Sequence, residues 1–216
     1  MRCRWLAVSL RGQVDPTFAR TERRRRVLAA VPLAAIAWLS GCAEQDPRSR
    51  FKGTDITGSS VGGDFGMPDS SGRPRSLSEF RGKVVVLFFG FLQCPDVCPT
   101  TLSEAAAAMK VLGAKADDVQ VVFVTVDPER DTPELLGRYV TAFDSRFIGL
   151  RGSASELEFA ARQFKVYYAK SETPNGYSMD HSAGQFVLDR QGRARLLIPH
   201  DAGAAVLAHD LGVLLR

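Results

Sequence analysis

Two long apolar runs dominate the pattern of hydrophobic and polar positions along the chain. Residues 83–91 (KVVVLFFGF) and 119–126 (VQVVFVTV) are rich in β-branched and aromatic side chains, and polar residues do not alternate with them. Continuous runs of this kind are typical of strands that are buried on both faces of a sheet. The pattern therefore predicts two central strands.

Helical patterns follow both predicted strands. Pro99 suits a first helical turn and Gly113 suits a helix end, so the Ala-rich stretch that they enclose is predicted to be helical. Asp131 is predicted to cap a second helix, because Pro133 fits the first turn of that helix. The other two predicted helices are residues 153–164, with Ser153 and Glu156 as a capping pair, and residues 202–215.

Shorter elements complete the pattern. A turn signal at residues 69–72 predicts an N-terminal hairpin, and another at residues 189–192 predicts a hairpin over residues 184–199. Residues 147–150 and 166–170 are short extended candidates. Strand-helix-strand units give a parallel core, which an antiparallel hairpin can extend. The predicted fold is thioredoxin-like α/β, with a central mixed sheet flanked by helices and an N-terminal hairpin.

The positive charge of the chain is confined to its N-terminal part. Eight of the 28 Lys and Arg residues lie within residues 1–26, beside two acids, whereas the remaining 20 face 22 acids. The formal charge of +4 therefore does not describe the predicted domain, which is close to neutral. We predict no nucleic-acid partner.

The N-terminus has the features of an export signal. Four arginines at residues 23–26 precede an apolar run of 14 residues, too short to cross a bilayer comfortably, which takes about 20. The run closes with LSGC at residues 39–42, which resembles the lipobox of bacterial lipoproteins. We predict a lipoprotein signal peptide over residues 1–41, lipidation of Cys42, a flexible tether over residues 42–60 and a folded domain over residues 61–216.

These features predict a location at the bacterial cell membrane. The lipid would anchor the chain, and the domain would face the oxidising periplasm or the cell exterior. The alternative is a short uncleaved anchor in which Cys42 is incidental. With Cys42 lipidated and Cys3 removed with the signal, Cys94 and Cys98 would be the remaining free thiols.

Cys94 and Cys98 lie in the segment FLQCPDVCP, directly after the first predicted strand. Their spacing is one residue longer than in the redox CxxC motif. A structural disulfide, a redox pair and a metal clamp all remain open, although a disulfide that closes so small a loop stabilises little. Cys98 is predicted near a helix N-terminus, where unpaired N–H groups and the helix dipole lower the pKa of a thiol.

A third ligand decides whether the two cysteines can form a metal site. Positions four apart in a helix-like loop face the same side, and two thiolates prefer Cu(I) or Zn to hard cations. His181 is predicted in a loop before the C-terminal hairpin, which packs against the cysteine loop in a thioredoxin-like fold. Two sulfurs and an imidazole suit Cu(I), or Cu(II) with an added oxygen ligand, whereas structural zinc needs a fourth protein ligand. Alternatively, His181 is a solvated surface residue, as His200 and His209 are predicted to be.

Three motifs together resemble those of the Sco/SenC family: CPDVCPTTL at residues 94–102, VDPERDTPE at 126–134 and DHSAGQFVLDRQGR at 180–193. The likeness covers residues 62–215. It implies a membrane-tethered, thioredoxin-like protein that binds copper through Cys94, Cys98 and His181. Such a protein receives copper from a periplasmic donor and helps to assemble the CuA centre in subunit II of cytochrome c oxidase. For some members the implied role is instead thiol–disulfide reduction of the oxidase cysteines, or redox signalling, which leaves open whether the chain is an enzyme.

The segment before Cys94 departs from the family pattern. It is GFLQ, where the family commonly has an aromatic residue followed by Thr or Ser. We therefore expect different hydrogen bonds in the metal loop but no missing ligand. Nearby charged residues are expected to support the metal or dock the oxidase, with turn formation and helix capping as the alternative. These residues are Asp96, Asp127, Arg130, Asp131 and Asp180.

Overall fold

Strands and helices alternate along most of the chain. The computed structural model describes residues 50–174 and 176–216, all of which belong to one unit that spans residues 44–216. The strands are β1 (Thr54–Asp55), β2 (Gly66–Pro68), β3 (Pro74–Ser76), β4 (Val84–Gly90), β5 (Val119–Thr125), β6 (Ile148–Leu150), β7 (Tyr168–Thr173), β8 (Gly176–His181), β9 (Gly184–Leu188) and β10 (Ala194–Pro199). The α-helices are α1 (Val97–Leu112), α2 (Pro133–Phe143), α3 (Ala154–Phe164) and α4 (Ala204–Leu214).

The central sheet has the strand order β1-β10-β9-β4-β5-β6. β4, β5 and β6 are parallel, whereas β9 is antiparallel to β4 and β10 is antiparallel to β9. Every residue of β4 and β5 is buried, which explains why both strands are continuous apolar runs. Burial of a side chain such as Phe88 or Phe123 stabilises the fold by about 1.5–3 kcal/mol. The predicted central strands and mixed α/β sheet are confirmed.

Local signals set the helix boundaries. α3 has the predicted capping box, in which the Ser153 side chain accepts from the Glu156 N–H and the Glu156 carboxylate accepts from the Ser153 N–H. α2 is capped by Thr132, whose hydroxyl accepts from the Leu135 N–H. The prediction that Asp131 caps α2 is therefore wrong. The physical reason is that Asp131 is buried, where other donors hold its carboxylate.

The helices and hairpins cover the sheet. α1 packs along α4, and α2 lies against β6. Both predicted hairpins are present, as β2 with β3 and as β9 with β10. Asp69, in the turn of the first hairpin, bridges to Leu150 of β6, so that hairpin is tied to the sheet edge. This arrangement leaves the carboxyl end of β4 free to carry the loop into α1.

β7 and β8 form a hairpin that the sequence pattern does not predict. It is a separate two-stranded sheet, with Tyr168 opposite His181 and Ala169 opposite Asp180. The prediction that His181 lies in a loop is wrong, because His181 is the last residue of β8. Most of the hairpin is polar and exposed or half-buried, and Met179 is its buried side chain in β8. Such a segment lacks the apolar alternation by which strands are recognised.

Residues 52–56 pack on the domain, although the sequence pattern assigns them to a flexible tether. β1 pairs with β10 at the edge of the sheet, and the N–H groups of Lys52 and Gly53 donate to the Asp210 carboxylate in α4. The predicted signal peptide and the lipidation of Cys42 lie outside the described residues. No helix in the part of the chain that the structure describes is long and apolar enough to cross a membrane.

Candidate metal centre

The loop from β4 to α1 brings two sulfurs to the carboxyl end of the central strand. Cys94 lies in the turn after β4, where its N–H donates to the Phe91 carbonyl. Cys98 lies in the first turn of α1. Both are free thiols, Cys94 half-buried and Cys98 fully buried. The Cys98 N–H donates to the Cys94 sulfur over 3.3 Å, so the helix N-terminus acts on Cys94 as well.

Gly90 makes room for the buried sulfur. A Cβ at this position would lie 2.8 Å from the Cys98 Sγ and 2.9 Å from the Phe123 ring, closer than real Cβ contacts. The last position of β4 is therefore glycine because the Cys98 sulfur packs directly on the backbone there.

His181 completes a cluster of three possible ligand atoms. The sulfurs of Cys94 and Cys98 and a ring nitrogen of His181 all lie within 4.8 Å of one another. The distance from the Cys98 Sγ to the His181 Nε2 is 3.8 Å. His200 and His209 lie elsewhere, the first after β10 and the second in α4. The structure thus brings together the three residues that the sequence singles out.

Hydrogen bonding fixes the orientation of the His181 ring. Its Nδ1 lies 3.0 Å from the Ser182 carbonyl, which can only accept, so Nδ1 carries the proton. The Nε2 lone pair is then free to face the sulfurs, as in metal-binding histidines whose second nitrogen donates to a carbonyl. Phe88 and Phe91 contact the ring edge to face, with centroids 6.2 and 5.8 Å away.

Burial sets the protonation of the ligands. It raises the pKa of the Cys98 thiol well above its ordinary value, although a hydrogen bond from the backbone at Phe91 opposes the change. The prediction that the helix N-terminus lowers the pKa of Cys98 is therefore wrong for the metal-free protein, because desolvation outweighs the helix. Burial also lowers the pKa of His181, so the imidazole is neutral at pH 7. A soft cation that replaces the Cys98 proton would offset the cost of burying a thiolate.

Asp131 holds the backbone that precedes the cysteines. Its buried carboxylate accepts from the Leu92 N–H at 3.1 Å and from the Thr125 hydroxyl at 2.5 Å. Burial raises the pKa of Asp131, and these two hydrogen bonds oppose the rise. The same Thr125 hydroxyl accepts from the Asp127 N–H at 3.0 Å. The loop after β5 is therefore tied to the metal loop through buried hydrogen bonds.

Arg130 connects the metal loop with the hairpin that carries His181. Its Nε donates to the buried Asp127 carboxylate, and its Nη1 donates to the Gln93 side chain at 3.1 Å and to the Tyr177 carbonyl at 2.6 Å. The guanidinium also stacks on the Tyr177 ring, 3.7 Å from the centroid. The Tyr177 hydroxyl donates to Asp127 at 3.0 Å. We call Asp127, Arg130 and Tyr177 the Arg130 latch.

The remaining two charged residues lie at the surface. Asp96 directly precedes α1, and its carboxylate accepts from the Thr100 hydroxyl at 3.3 Å but makes no hydrogen bond to the helix backbone. Asp180 is exposed on β8, and its charge opposes the effect of burial on the pKa of His181. In the sequence, Asp96 lies midway between the two cysteines and Asp180 directly precedes His181.

Sequence reasoning misses three residues that shape the site. Gly90 has a sequence signal, because it is the one residue without a side chain in the run over residues 83–91, just before the cysteine loop. Gln93 stands at the position noted as a departure from the family pattern, and its role is to accept from Arg130. Tyr177 has no comparable signal, since it depends on a hairpin that has no apolar alternation.

The fold and the site together define a class. The chain is a thioredoxin-like α/β protein with two cysteines and a histidine gathered where the central strand meets the first helix. The family model described as SCO1/SenC matches residues 53–216. The chain belongs to the SCO1/SenC family.

Known proteins and solved structures agree with this assignment. The mitochondrial SCO2 homologue of Mus musculus is 38% identical over 162 residues, which are 72% of this chain and 64% of the relative. Bradyrhizobium japonicum ScoI with copper bound is 35% identical, with a TM-score of 0.66 over 71% of this chain and 99% of that one. Apo Sco1 of Thermus thermophilus is 43% identical, with a TM-score of 0.67 over 76% of this chain and 95% of that one. The thioredoxin-like fold predicted from the sequence is confirmed.

Proposed function

We propose that the chain binds one copper ion through Cys94, Cys98 and His181. The observation that carries the proposal is the convergence of two sulfurs and an imidazole nitrogen within 4.8 Å. Two thiolates and a neutral imidazole form a soft, three-coordinate set that suits Cu(I), and an added oxygen ligand would suit Cu(II). The copper-bound structure of the Bradyrhizobium relative supports this choice of metal.

Copper is the cargo of the protein in this proposal. Cys94 is half-buried, so one ligand at the mouth of the site can be exchanged for a thiolate of a partner while the other two hold the ion. The family resemblance points to cytochrome c oxidase subunit II, where the CuA centre is assembled, as the acceptor, and to a periplasmic copper donor. The chain would act from the bacterial cell membrane, held there by the Cys42 lipid.

Copper titration of the reduced protein tests the proposal. We expect about one copper per chain for the wild type and weaker Cu(II) binding for His181→Ala, because the nitrogen ligand is lost. His209→Ala is the matched control, since His209 is exposed in α4 and distant in sequence from the ligands. Unchanged affinity and absorption spectrum in His181→Ala would refute the assignment of His181.

A second candidate function is thiol–disulfide exchange. Its support is that the two sulfurs lie close together and that the more accessible one, Cys94, accepts the Cys98 N–H. The Cys94 thiolate would attack a partner disulfide and release one partner thiol. Cys98 would then lose its proton and displace the second, so that two electrons reduce the partner and the Cys94–Cys98 disulfide forms.

The same variants distinguish the two functions. His181→Ala should leave exchange with a disulfide substrate intact if exchange is the function, and Cys94→Ser or Cys98→Ser should abolish it. If the chain delivers copper, His181→Ala should prevent metallation of an acceptor peptide that contains two cysteines. Loss of exchange in His181→Ala would argue against simple thiol chemistry.

We also propose that the Arg130 latch positions His181. The β7–β8 hairpin is not hydrogen-bonded into the central sheet, so its place beside the cysteines depends on contacts such as those of Arg130. Asp127 and Arg130 would then act through the ligand histidine. Asp131 would act through the backbone before Cys94, and the exposed Asp96 and Asp180 are available to contact a docked partner.

A further inference from the structure

We propose that a basic groove, at the end of the domain remote from the metal centre, binds the anionic headgroups of a phospholipid membrane. The groove lies where the turn between β9 and β10 meets the C-terminal end of α4 and the first described residues. Its cationic side chains are Arg50, Lys52, Arg190, Arg195 and Arg216, and its apolar ones are Phe51, Val213 and Leu214.

The positive charge of the groove is only partly neutralised. Asp189 is the acidic side chain of the lining, and it is buried and already paired with Arg193 and Arg195. Arg190 pairs with Asp118. Arg50, Lys52 and Arg216 are exposed. The groove is therefore a cationic surface on a domain whose acids slightly outnumber its bases.

Apolar groups lie beside the cations. Phe51, Val213 and Leu214 are only half-buried, and the Arg195 guanidinium lies over the Phe51 ring, 6.0 Å from its centroid. Cationic heads beside partly exposed apolar groups match the boundary between headgroups and acyl chains. The groove also adjoins the segment that leads to Cys42, so we assign it to a lipid surface rather than to a soluble acidic protein.

The path of the chain places the groove where a membrane anchor would act. Hydrogen bonds from the backbone of Lys52 and Gly53 to Asp210 fix the first described residues on α4, so Arg50 and Phe51 line the groove. Cys42 lies only eight residues upstream of Arg50. A lipid on Cys42 would therefore deliver the groove to the bilayer surface.

Docking by this end would turn the metal centre away from the lipid. Arg190 exchanges hydrogen bonds with Gly82 just before β4, whereas the cysteines follow the other end of that strand. The seven residues of β4 separate the two ends by roughly 20 Å, at about 3.3 Å per residue. The metal end carries exposed acids, such as Asp96 and Asp180, which an anionic surface would repel. The charge distribution thus favours one orientation.

This inference rests on the proposed membrane location, but the binding that it predicts requires neither copper nor the Cys42 lipid. It can therefore be tested with residues 44–216, without metal. Related Sco chains support using this segment alone, because the match covers 99% of the Bradyrhizobium chain. The probes are vesicles of phosphatidylcholine, alone or mixed with phosphatidylglycerol, and the measurement is cosedimentation.

We expect binding to the anionic vesicles that weakens steeply with salt, and none to phosphatidylcholine alone. The triple change Arg50→Gln, Lys52→Gln and Arg216→Gln should weaken binding on the order of 100-fold, at about fivefold per charge. The matched control changes Arg73, Arg138 and Arg162 to Gln. These arginines are exposed and lie outside the groove, so the control should bind within about twofold of the wild type.

Hydrogen exchange on the vesicles reports the orientation independently of any variant. Amides of residues 50–53 and 190–195 should exchange more slowly, and those of residues 91–98 should not change. Equal weakening by the two triple changes would contradict the proposal, as would protection of the metal loop or equal binding to both kinds of vesicle. Copper binding that fails while vesicle binding succeeds would refute only the proposed metal function.

Discussion

At the scale of single residues, the site depends on how closely a buried sulfur can approach the backbone. Cys98 is fully buried near the end of β4. Its sulfur occupies the space that a side chain at position 90 would fill, and glycine leaves that space open. The same burial keeps the Cys98 thiol protonated in the metal-free protein, since a lone thiolate would be poorly solvated there. Metal binding and proton release at Cys98 are therefore coupled.

Gly90→Ala tests the packing around this sulfur. The added methyl group would lie 2.8 Å from the Cys98 Sγ, so we expect a loss of about 1–3 kcal/mol in the free energy of unfolding and weaker copper binding. The control is Gly212→Ala in α4, where a Cβ meets no atom within 4 Å and should stabilise the helix by up to about 1 kcal/mol. Urea denaturation measures both changes, and equal effects of the two substitutions would contradict this packing.

The protonation of Cys98 predicts how stability depends on pH. Its pKa is raised in the folded protein, so above the ordinary thiol pKa of about 8.5 the unfolded chain binds fewer protons than the folded one. The free energy of unfolding of the reduced, metal-free protein should therefore fall as the pH rises above that value, by up to about 1.4 kcal/mol per unit. Cys98→Ser should remove this part of the decline. Urea titrations from pH 7 to 10 with reductant would contradict the account if both proteins gave parallel curves.

At the scale of elements, the metal centre is assembled from three pieces of the fold. The β4–α1 segment supplies both cysteines, and the loop after β5 supplies Asp127 and Arg130. The β7–β8 hairpin supplies His181 and Tyr177, the third residue of the Arg130 latch. The hairpin is the piece that can move most independently, because it is a separate two-stranded sheet.

Arg130→Gln tests whether the latch acts through His181. Loss of its hydrogen bonds to Asp127 and Tyr177 should weaken copper binding up to about tenfold, because the hairpin would no longer hold the imidazole in place. In a His181→Ala background, the same change should have no further effect on affinity. Arg138→Gln on the exposed side of α2 is the control for loss of charge. Equal losses in both backgrounds would mean that Arg130 acts independently of the histidine.

The pattern of apolar residues predicts the elements that are held by the core and misses those held by polar contacts. β4, β5 and the α3 capping box follow from runs and caps that are visible in the sequence. The β7–β8 hairpin does not, because polar side chains and the Arg130 latch fix it. The prediction for Asp131 fails because its local signal is that of a helix cap, whereas the distant Leu92 N–H and Thr125 hydroxyl donate to its buried carboxylate.

The three candidate ligands can be predicted from the sequence. The spacing of Cys94 and Cys98 after a buried strand predicts a functional edge of the sheet. The position of His181 before the C-terminal hairpin and the family resemblance indicate the third ligand. The protonation state of Cys98 could not be predicted from the sequence, because its burial depends on how the whole chain packs. That burial raises the pKa of the thiol more than the helix N-terminus lowers it.

At the scale of the whole molecule, the domain has two chemically distinct ends. One end holds the sulfurs and the imidazole among exposed acids, and the other holds the basic groove beside the first described residues. If the basic groove binds the membrane surface, the metal centre at the opposite end would face partners above the membrane. The match to the mouse SCO2 homologue covers 64% of that protein's length.

The central claim is that His181 and the two cysteines together hold copper. X-ray absorption spectroscopy of the reduced protein loaded with one equivalent of Cu(I) tests it most directly. We predict two sulfur scatterers and one nitrogen scatterer for the wild type, and two sulfurs without the imidazole for His181→Ala. An identical copper environment in both proteins would contradict the account.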